Sequence, residues 1–165
     1  MKIVPELPEH RPAVLELNRL AFKGEEESRL IKNLARDASI LASFVAVDGG
    51  VVVGHLLFSP LYVMIDGKRI DAVALAPMCV VPSRQKQGIG TLLVEHGIEA
   101  MKSAGQAAII VLGHVDFYPR FSFRHDLAKN LSCAFNKYEA FMGLELHAGS
   151  LGGKSGTCIY PRAFD

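Results

Sequence analysis

Apolar residues recur at helical spacing along residues 88–104. Ile89, Leu92, Leu93, His96, Ala100 and Met101 fall on one stripe, while Glu95, Glu99 and Lys102 face away. The segment predicts a helix, with Gly105 as its C-terminal stop. Two earlier segments carry the same period. Residues 8–22 place Val14, Leu17 and Ala21 on one face, with Pro12 early in the helix, where a missing N–H costs little. After Gly24, residues 25–37 predict a second helix with Leu30, Ile31 and Leu34 as its stripe. Its acidic Glu25, Glu26 and Glu27 lie in the first turn, where the helix dipole favours negative charge.

Elsewhere the pattern is that of strands. Residues 42–47 and 51–58 flank the turn signal Asp48-Gly49-Gly50 and predict a hairpin. Ser59-Pro60 is expected to break or bend the second strand before residues 61–65, and Asp66-Gly67 marks another turn. Residues 72–81 form a long, nearly continuous apolar strand with Pro77 inside it. Proline cannot donate to a ladder, so a bulge or a split from a neighbour is expected there. Residues 107–112 predict a short strand buried on both faces, residues 117–123 are aromatic and turn-rich, and two more strands are expected at 131–135 and 140–147. The succession from residue 72 to 112 has the size of a βαβ unit. Helices first, an antiparallel stretch and one βαβ unit together predict a mixed α/β sandwich, with no internal repeat, long linker or low-complexity segment.

Length and composition narrow this further. At 165 residues, half of them apolar and 21% charged, the chain reads as a single domain, 1–165, able to bury a core without disulfides or metals. Eighteen basic against seventeen acidic residues leave a net charge of +1, which disfavours a nucleic-acid binder that works by neutralising phosphates. The apolar run 107–112 is far too short to span a bilayer, and the first residues lack the apolar core and cleavage site of a signal peptide. Cys79, Cys133 and Cys158 are odd in number, widely spaced and without a CxxC pair, so they read as free thiols in a reducing compartment rather than as a zinc site. His10, His125 and His147 have no spacing that suggests a metal site. The expectation is a cytoplasmic protein with no membrane segment, no nucleic-acid partner and no metal.

The segment richest in chemistry is Val80-Val81-Pro82-Ser83-Arg84-Gln85-Lys86-Gln87-Gly88-Ile89-Gly90-Thr91-Leu92-Leu93. It sets two glycines between a buried strand and a helix N-terminus, where unpaired N–H groups and the helix dipole favour an anion such as phosphate. Glycine leaves the backbone bare for that approach. A tight turn with no ligand would use the same residues. The P-loop pattern fails because Gly90 is followed by Thr91-Leu92 rather than Lys-Ser or Lys-Thr. The dinucleotide fingerprint fails because Leu93 stands where a third glycine is needed.

What remains resembles the acyl-coenzyme A loop of the GCN5-related N-acetyltransferase (GNAT) superfamily, Q/R-x-x-G-x-G/A, met by Gln85, Gly88 and Gly90. Tyr118-Pro119-Arg120-Phe121-Ser122-Phe123 resembles the family's downstream Y-x-x-x-G-F. The phrases Val53-Gly54-His55-Leu56-Leu57-Phe58-Ser59, Val111-Leu112-Gly113 and Phe141-Met142-Gly143-Leu144-Glu145-Leu146 are similar to the YhbS-type subgroup, and the likeness spans nearly the whole chain. Two departures stand out. Ser122 replaces the family's usual glycine, and Lys86 replaces a glycine frequent in the subgroup.

The resemblance implies a GNAT-like α/β fold: a mixed sheet flanked by helices, whose two central parallel strands (here residues 74–81 and 107–112) splay to admit the pantetheine arm. It implies acetyl-CoA as co-substrate and a small-molecule or peptide amine as acceptor, joined by direct attack. Cys79 and Val80 would meet the pantetheine amides. Gln85, Lys86, Gln87, Gly88, Ile89, Gly90 and Thr91 would hold the phosphates, and Tyr118 would be the general acid. Homodimers are common in the superfamily.

His114 and Asp116 follow the second splayed strand and are candidates for a base, although a surface or capping role is the favoured reading for each. His55, in a mostly apolar strand, reads as a hydrogen-bonded structural histidine. Cys79 reads as a small buried side chain rather than a nucleophile. The acidic run 25–27 reads as a solvated helix start or as a rim of the amine site. A non-catalytic acyl-CoA-binding sensor or regulatory module is the alternative to an enzyme.

Overall fold

Alternation of apolar side chains builds a mixed sheet of eight strands, and three amphipathic segments supply its longer helices. The computed structural model describes residues 1–165. The strands are β1 (Lys2–Pro5), β2 (Ala42–Asp48), β3 (Val51–Ile65), β4 (Lys68–Val80), β5 (Ala108–Leu112), β6 (Leu131–Ser132), β7 (Phe141–Glu145) and β8 (Gly156–Ile159). The helices are α1 (Arg11–Phe22), α2 (Glu26–Arg36), α3 (Ile89–Ser103) and the single turn α4 (His125–Ala128). Hydrogen-bonded neighbours follow the order β1-β2-β3-β4-β5-β7, with β8 on β3 and β6 on β8. No helix is long and apolar enough to cross a membrane.

The chain divides into two compact units. One comprises Met1–Ser59, Ala76–Glu99 and Arg162–Asp165; the other comprises Pro60–Leu75 and Ala100–Pro161. In the first, β1, β2 and the first half of β3 pair antiparallel, and α1 and α2 bury Val14, Ile31 and Leu34 with Val45 and Leu57. Each such side chain removed from water contributes about 2 kcal/mol. The Ser28 hydroxyl of α2 donates to the Leu15 carbonyl of α1 at 2.7 Å, tying the two helices together. α3 lies directly on β3. A Cβ at Gly97 would stand 2.6 Å from Leu56 and 2.8 Å from Phe58, so only glycine allows this approach.

In the second unit, β4 pairs parallel with β5 over residues 72–74 against 108–110. β5 pairs antiparallel with β7, from Ala108↔Glu145 to Leu112↔Phe141. Phe123, Leu131, Phe141 and Leu151 are buried around this sheet.

Several expectations need correction. Ser59-Pro60 does not interrupt β3. The antiparallel ladder with β2 reaches Phe58 and the ladder with β8 begins at Tyr62, so proline falls in the interval between two partners, where no N–H is required. The strand expected at 131–135 stops at Ser132, and that expected at 140–147 is Phe141–Glu145. Residues 8–10 form a 3-10 turn ahead of α1. β1, β8 and α4 were not legible in the pattern. His96 is exposed rather than part of the buried stripe, with its ring edge-on to Phe44 at 4.8 Å.

Candidate active site

The loop from β4 to α3 lies in the first unit. Cys79 and Val80 end β4 in buried positions, and Val81 donates its N–H to the Val53 carbonyl, which fixes where the loop departs. The side-chain amide of Gln85 reaches back to the Val80 carbonyl at 3.1 Å. The motif glutamine therefore folds the loop onto its own strand. Arg84 is committed elsewhere: it donates to Gln87 Oε1 and to Asp48, each at 3.0 Å.

Lys86 and Gly88 stand at φ +61° and +85°. Left-handed residues in such a loop turn successive N–H groups toward a common side. A Cβ placed at Gly88 would meet nothing within 4 Å, so the space above this backbone is open. Ile89, buried, anchors the start of α3, and Gly90 and Thr91 follow in its first turn, half-buried. Leu92 N–H to the Gly88 carbonyl begins the helical ladder, so the N–H groups of Ile89, Gly90 and Thr91 precede any intrahelical partner. Bare backbone, outward amides and the positive end of a fifteen-residue helix fit a diphosphate. The exposed Lys86 adds a cation to the same loop.

Cys79 is only 6% exposed, and burial, reinforced by the Glu27 carboxylate, pushes its thiol up to about 12. Such a thiol stays protonated at neutral pH and is a poor nucleophile.

Tyr118 lies in the second unit, at the start of a 3-10 turn, Tyr118–Phe121, that follows β5. Its ring meets Phe117 and Phe123 edge-on at 5.0 and 5.5 Å. Burial raises its hydroxyl above the ordinary phenol value, so the group holds its proton throughout the neutral range. Ser122 closes the turn at φ +72°, donating its N–H to the Pro119 carbonyl. Both departures from the glycine pattern, Lys86 and Ser122, thus occupy left-handed backbone. That explains why glycine suits these places and what the substitutions cost.

His114 and Asp116 are exposed on the segment between β5 and Tyr118, and the His114 carbonyl accepts the Phe117 and Tyr118 N–H groups. A polar cluster that sequence reasoning did not assemble lies in the first unit. His55 is fully buried, with Nδ1 3.1 Å from Asn18 Nδ2 and Nε2 3.0 Å from Ser43 Oγ. The Glu6 carboxylate accepts from Ser43 and Arg11. Burial opposes its charge, but these two donors hold Glu6 below the usual carboxylate range. The cluster pins β2 and β3 to α1 and to the residue after β1.

A family model described as an acetyltransferase (GNAT) domain matches residues 7–125. The uncharacterized N-acetyltransferase YhbS of Escherichia coli is 31% identical over 100% of this chain and 99% of its own. The crystal structure of Escherichia coli YhbS in complex with CoA superposes with a TM-score of 0.89 at 30% identity, covering 99% of this chain and 91% of that one. A GNAT family acetyltransferase from Brucella melitensis in complex with acetyl-CoA gives a TM-score of 0.81 at 27% identity, over 99% and 97%.

Proposed function

The chain belongs to the GNAT acetyltransferase family and is an acyltransferase, and we propose that residues 1–165 act as one catalytic domain moving an acetyl group from acetyl-CoA to a primary amine. The observation that carries the donor assignment is the loop: open space above Gly88, left-handed Lys86 and Gly88, and the unladdered amides opening α3. Two relatives captured with CoA and acetyl-CoA support it.

Acetyl-CoA, when bound, supplies an acyl group activated as a thioester. In this reading the N–H groups of residues 86–91 hold its phosphates, with Lys86 as an additional cation and Gln85 and Gln87 shaping the loop. The backbone of Cys79 and Val80 meets the pantetheine amides as an added strand would. The acceptor, a small-molecule or peptide amine, attacks as the neutral base. The C–N bond forms as the C–S bond breaks. Tyr118 Oη, which retains its proton, hydrogen-bonds the sulfur as negative charge develops there and protonates the departing thiolate. The proton shed by the amine passes to solvent, from which the phenol is restored. Cys79, held protonated, takes no covalent part. The setting proposed is the cytoplasm.

Titration with acetyl-CoA and thiol release across a panel of small and peptide amines test the proposal together. Binding with amine-dependent release supports it, whereas binding without turnover on any amine favours a sensor module. Gly90→Val should abolish acetyl-CoA binding at unchanged Tm, and undiminished affinity would remove the loop from donor recognition.

A further inference from the structure

Cys133 and Cys158 take no part in the chemistry above, and their separation in sequence hides a neighbour relation. β6 and β8 pair in parallel register as Leu131↔Gly156 and Ser132↔Thr157. β6 ends at Ser132, so Cys133 is the residue just after the last pair and Cys158 the residue just after its partner Thr157. Paired strands lie about 4.8 Å apart, which brings the two positions close. That spacing lies inside the Cα range a disulfide spans, roughly 4.4–6.8 Å. Both are free thiols, and they differ in access: Cys158 is 6% exposed and Cys133 is half-buried. Burial, together with the charge and hydrogen bond of the Cys133 sulfur, pushes the Cys158 thiol up to about 12. Tyr160, two residues on, is raised chiefly by its partial burial and further by the same pair.

We propose that Cys133 and Cys158 form a reversible thiol–disulfide modification site whose closure staples β6 to β8. The oxidant is a low-molecular-weight disulfide such as oxidised glutathione. Access assigns the order of events. The Cys133 thiolate attacks one sulfur of the small disulfide, whose S–S bond breaks, and the released small thiolate takes up a proton. Cys158 then gives its proton to solvent and attacks the Cys133 sulfur, expelling the second small thiol. Two protein thiols and one small disulfide become one protein disulfide and two small thiols, so the protein loses two hydrogens and two electrons. The staple fixes the start of the segment that returns through the Ala140 carbonyl, which accepts the Gly113 N–H at 3.0 Å beyond the end of β5.

The test is incubation of the native chain with oxidised glutathione, followed by intact mass measurement and peptide mapping without reductant. The expected product is lighter by two hydrogens, carries a Cys133–Cys158 linked peptide, reverts with dithiothreitol and melts at higher temperature. Cys158→Ser should stop at a glutathione adduct on Cys133. In the wild type the adduct should resolve roughly tenfold faster per pH unit over the range where the Cys158 thiolate is scarce. Because mapping of the wild type alone reads the linkage, a variant that fails to fold leaves the test intact. A wild-type adduct that never resolves, a link through Cys79, or both thiols still alkylated after the incubation would overturn the proposal.

Discussion

The ring of Tyr118 occupies the place where a side chain at Gly113 would begin: a Cβ there would lie 2.3 Å from Tyr118 Cε2 and 2.8 Å from Cδ2. The glycine just beyond β5 is thus the floor on which the tyrosine rests. Gly113→Ala must displace a ring already held edge-on by Phe117 and Phe123. The expected cost is about 1–3 kcal/mol of unfolding free energy, the usual range for overpacking a filled site. It should bring a fall in kcat, because the hydroxyl moves with the ring. Urea unfolding and steady-state rates on the same sample check both, and an unperturbed variant would contradict the packing.

Tyr118→Phe isolates the hydroxyl. The ring contacts survive, so stability should change little, whereas kcat should fall roughly tenfold or more with acetyl-CoA affinity nearly unchanged. The burial that raises this phenol makes it a poor base and a persistent hydrogen-bond donor. The rate should therefore show no loss from Tyr118 ionisation at any pH below the ordinary phenol range. Wild-type turnover in a folded Phe variant, measured where chemistry limits the rate, removes Tyr118 from the mechanism.

Ser122 carries a side chain at φ +72°, a backbone region that costs a residue with Cβ roughly 1 kcal/mol relative to glycine. Ser122→Gly should relieve that strain, offset in part by the greater freedom of glycine in the unfolded chain. The expected net effect is a gain of a few tenths of a kcal/mol up to about 1 kcal/mol in urea unfolding. A clear loss would mean that the serine side chain makes a contact outweighing the strain.

Much of this fold was legible where one period persists over a long run. The α3 stripe and the βαβ size placed the loop between β4 and α3 within one residue of the observed helix start. β1 and β8 escaped because four-residue strands carry too few alternations to stand out, and β8 begins at Gly156, straight after a run rich in glycine. The loop motif was readable from Gln85, Gly88 and Gly90, but the inward hydrogen bond of Gln85 to Val80 was not, since a motif records residue type and not direction. Tyr118 was singled out from its motif, yet its rest on Gly113 follows from the turn after β5. The Glu6, Asn18, Ser43 and His55 cluster draws on segments up to 49 residues apart in sequence, and only strand register and helix packing bring them together.

That cluster makes stability depend on pH through His55. Burial, the largest effect, lowers its pKa from 6.5 to about 4, partly countered by the negative Glu6 and reinforced by the positive Arg11. The geometry gives the same sign. Asn18 Nδ2 donates to the Val14 carbonyl at 2.8 Å and faces His55 Nδ1 at 3.1 Å, so a proton added to Nδ1 would set donor against donor. The unfolded chain accepts that proton near pH 6.5 and the folded chain resists it until about pH 4. Unfolding free energy should therefore be flat in this group above pH 7. Between the two values it should fall as pH falls, with a slope approaching 1.4 kcal/mol per pH unit and a total on the order of 3 kcal/mol. Glu6 adds a loss of the same direction lower down. Its folded pKa lies below 4.5, so its contribution is present above that value and disappears as pH drops through the depressed one. Urea unfolding from pH 8 to pH 4.5, for wild type and His55→Gln, separates the two groups. The wild type should lose stability through this window, and the variant, though weaker throughout, should lose less. An NMR titration of the His55 ring gives the microscopic check, because the folded protein should keep it neutral at pH 5.5. A ring that protonates there with a midpoint near 6.5 would contradict the buried, acceptor role of Nδ1.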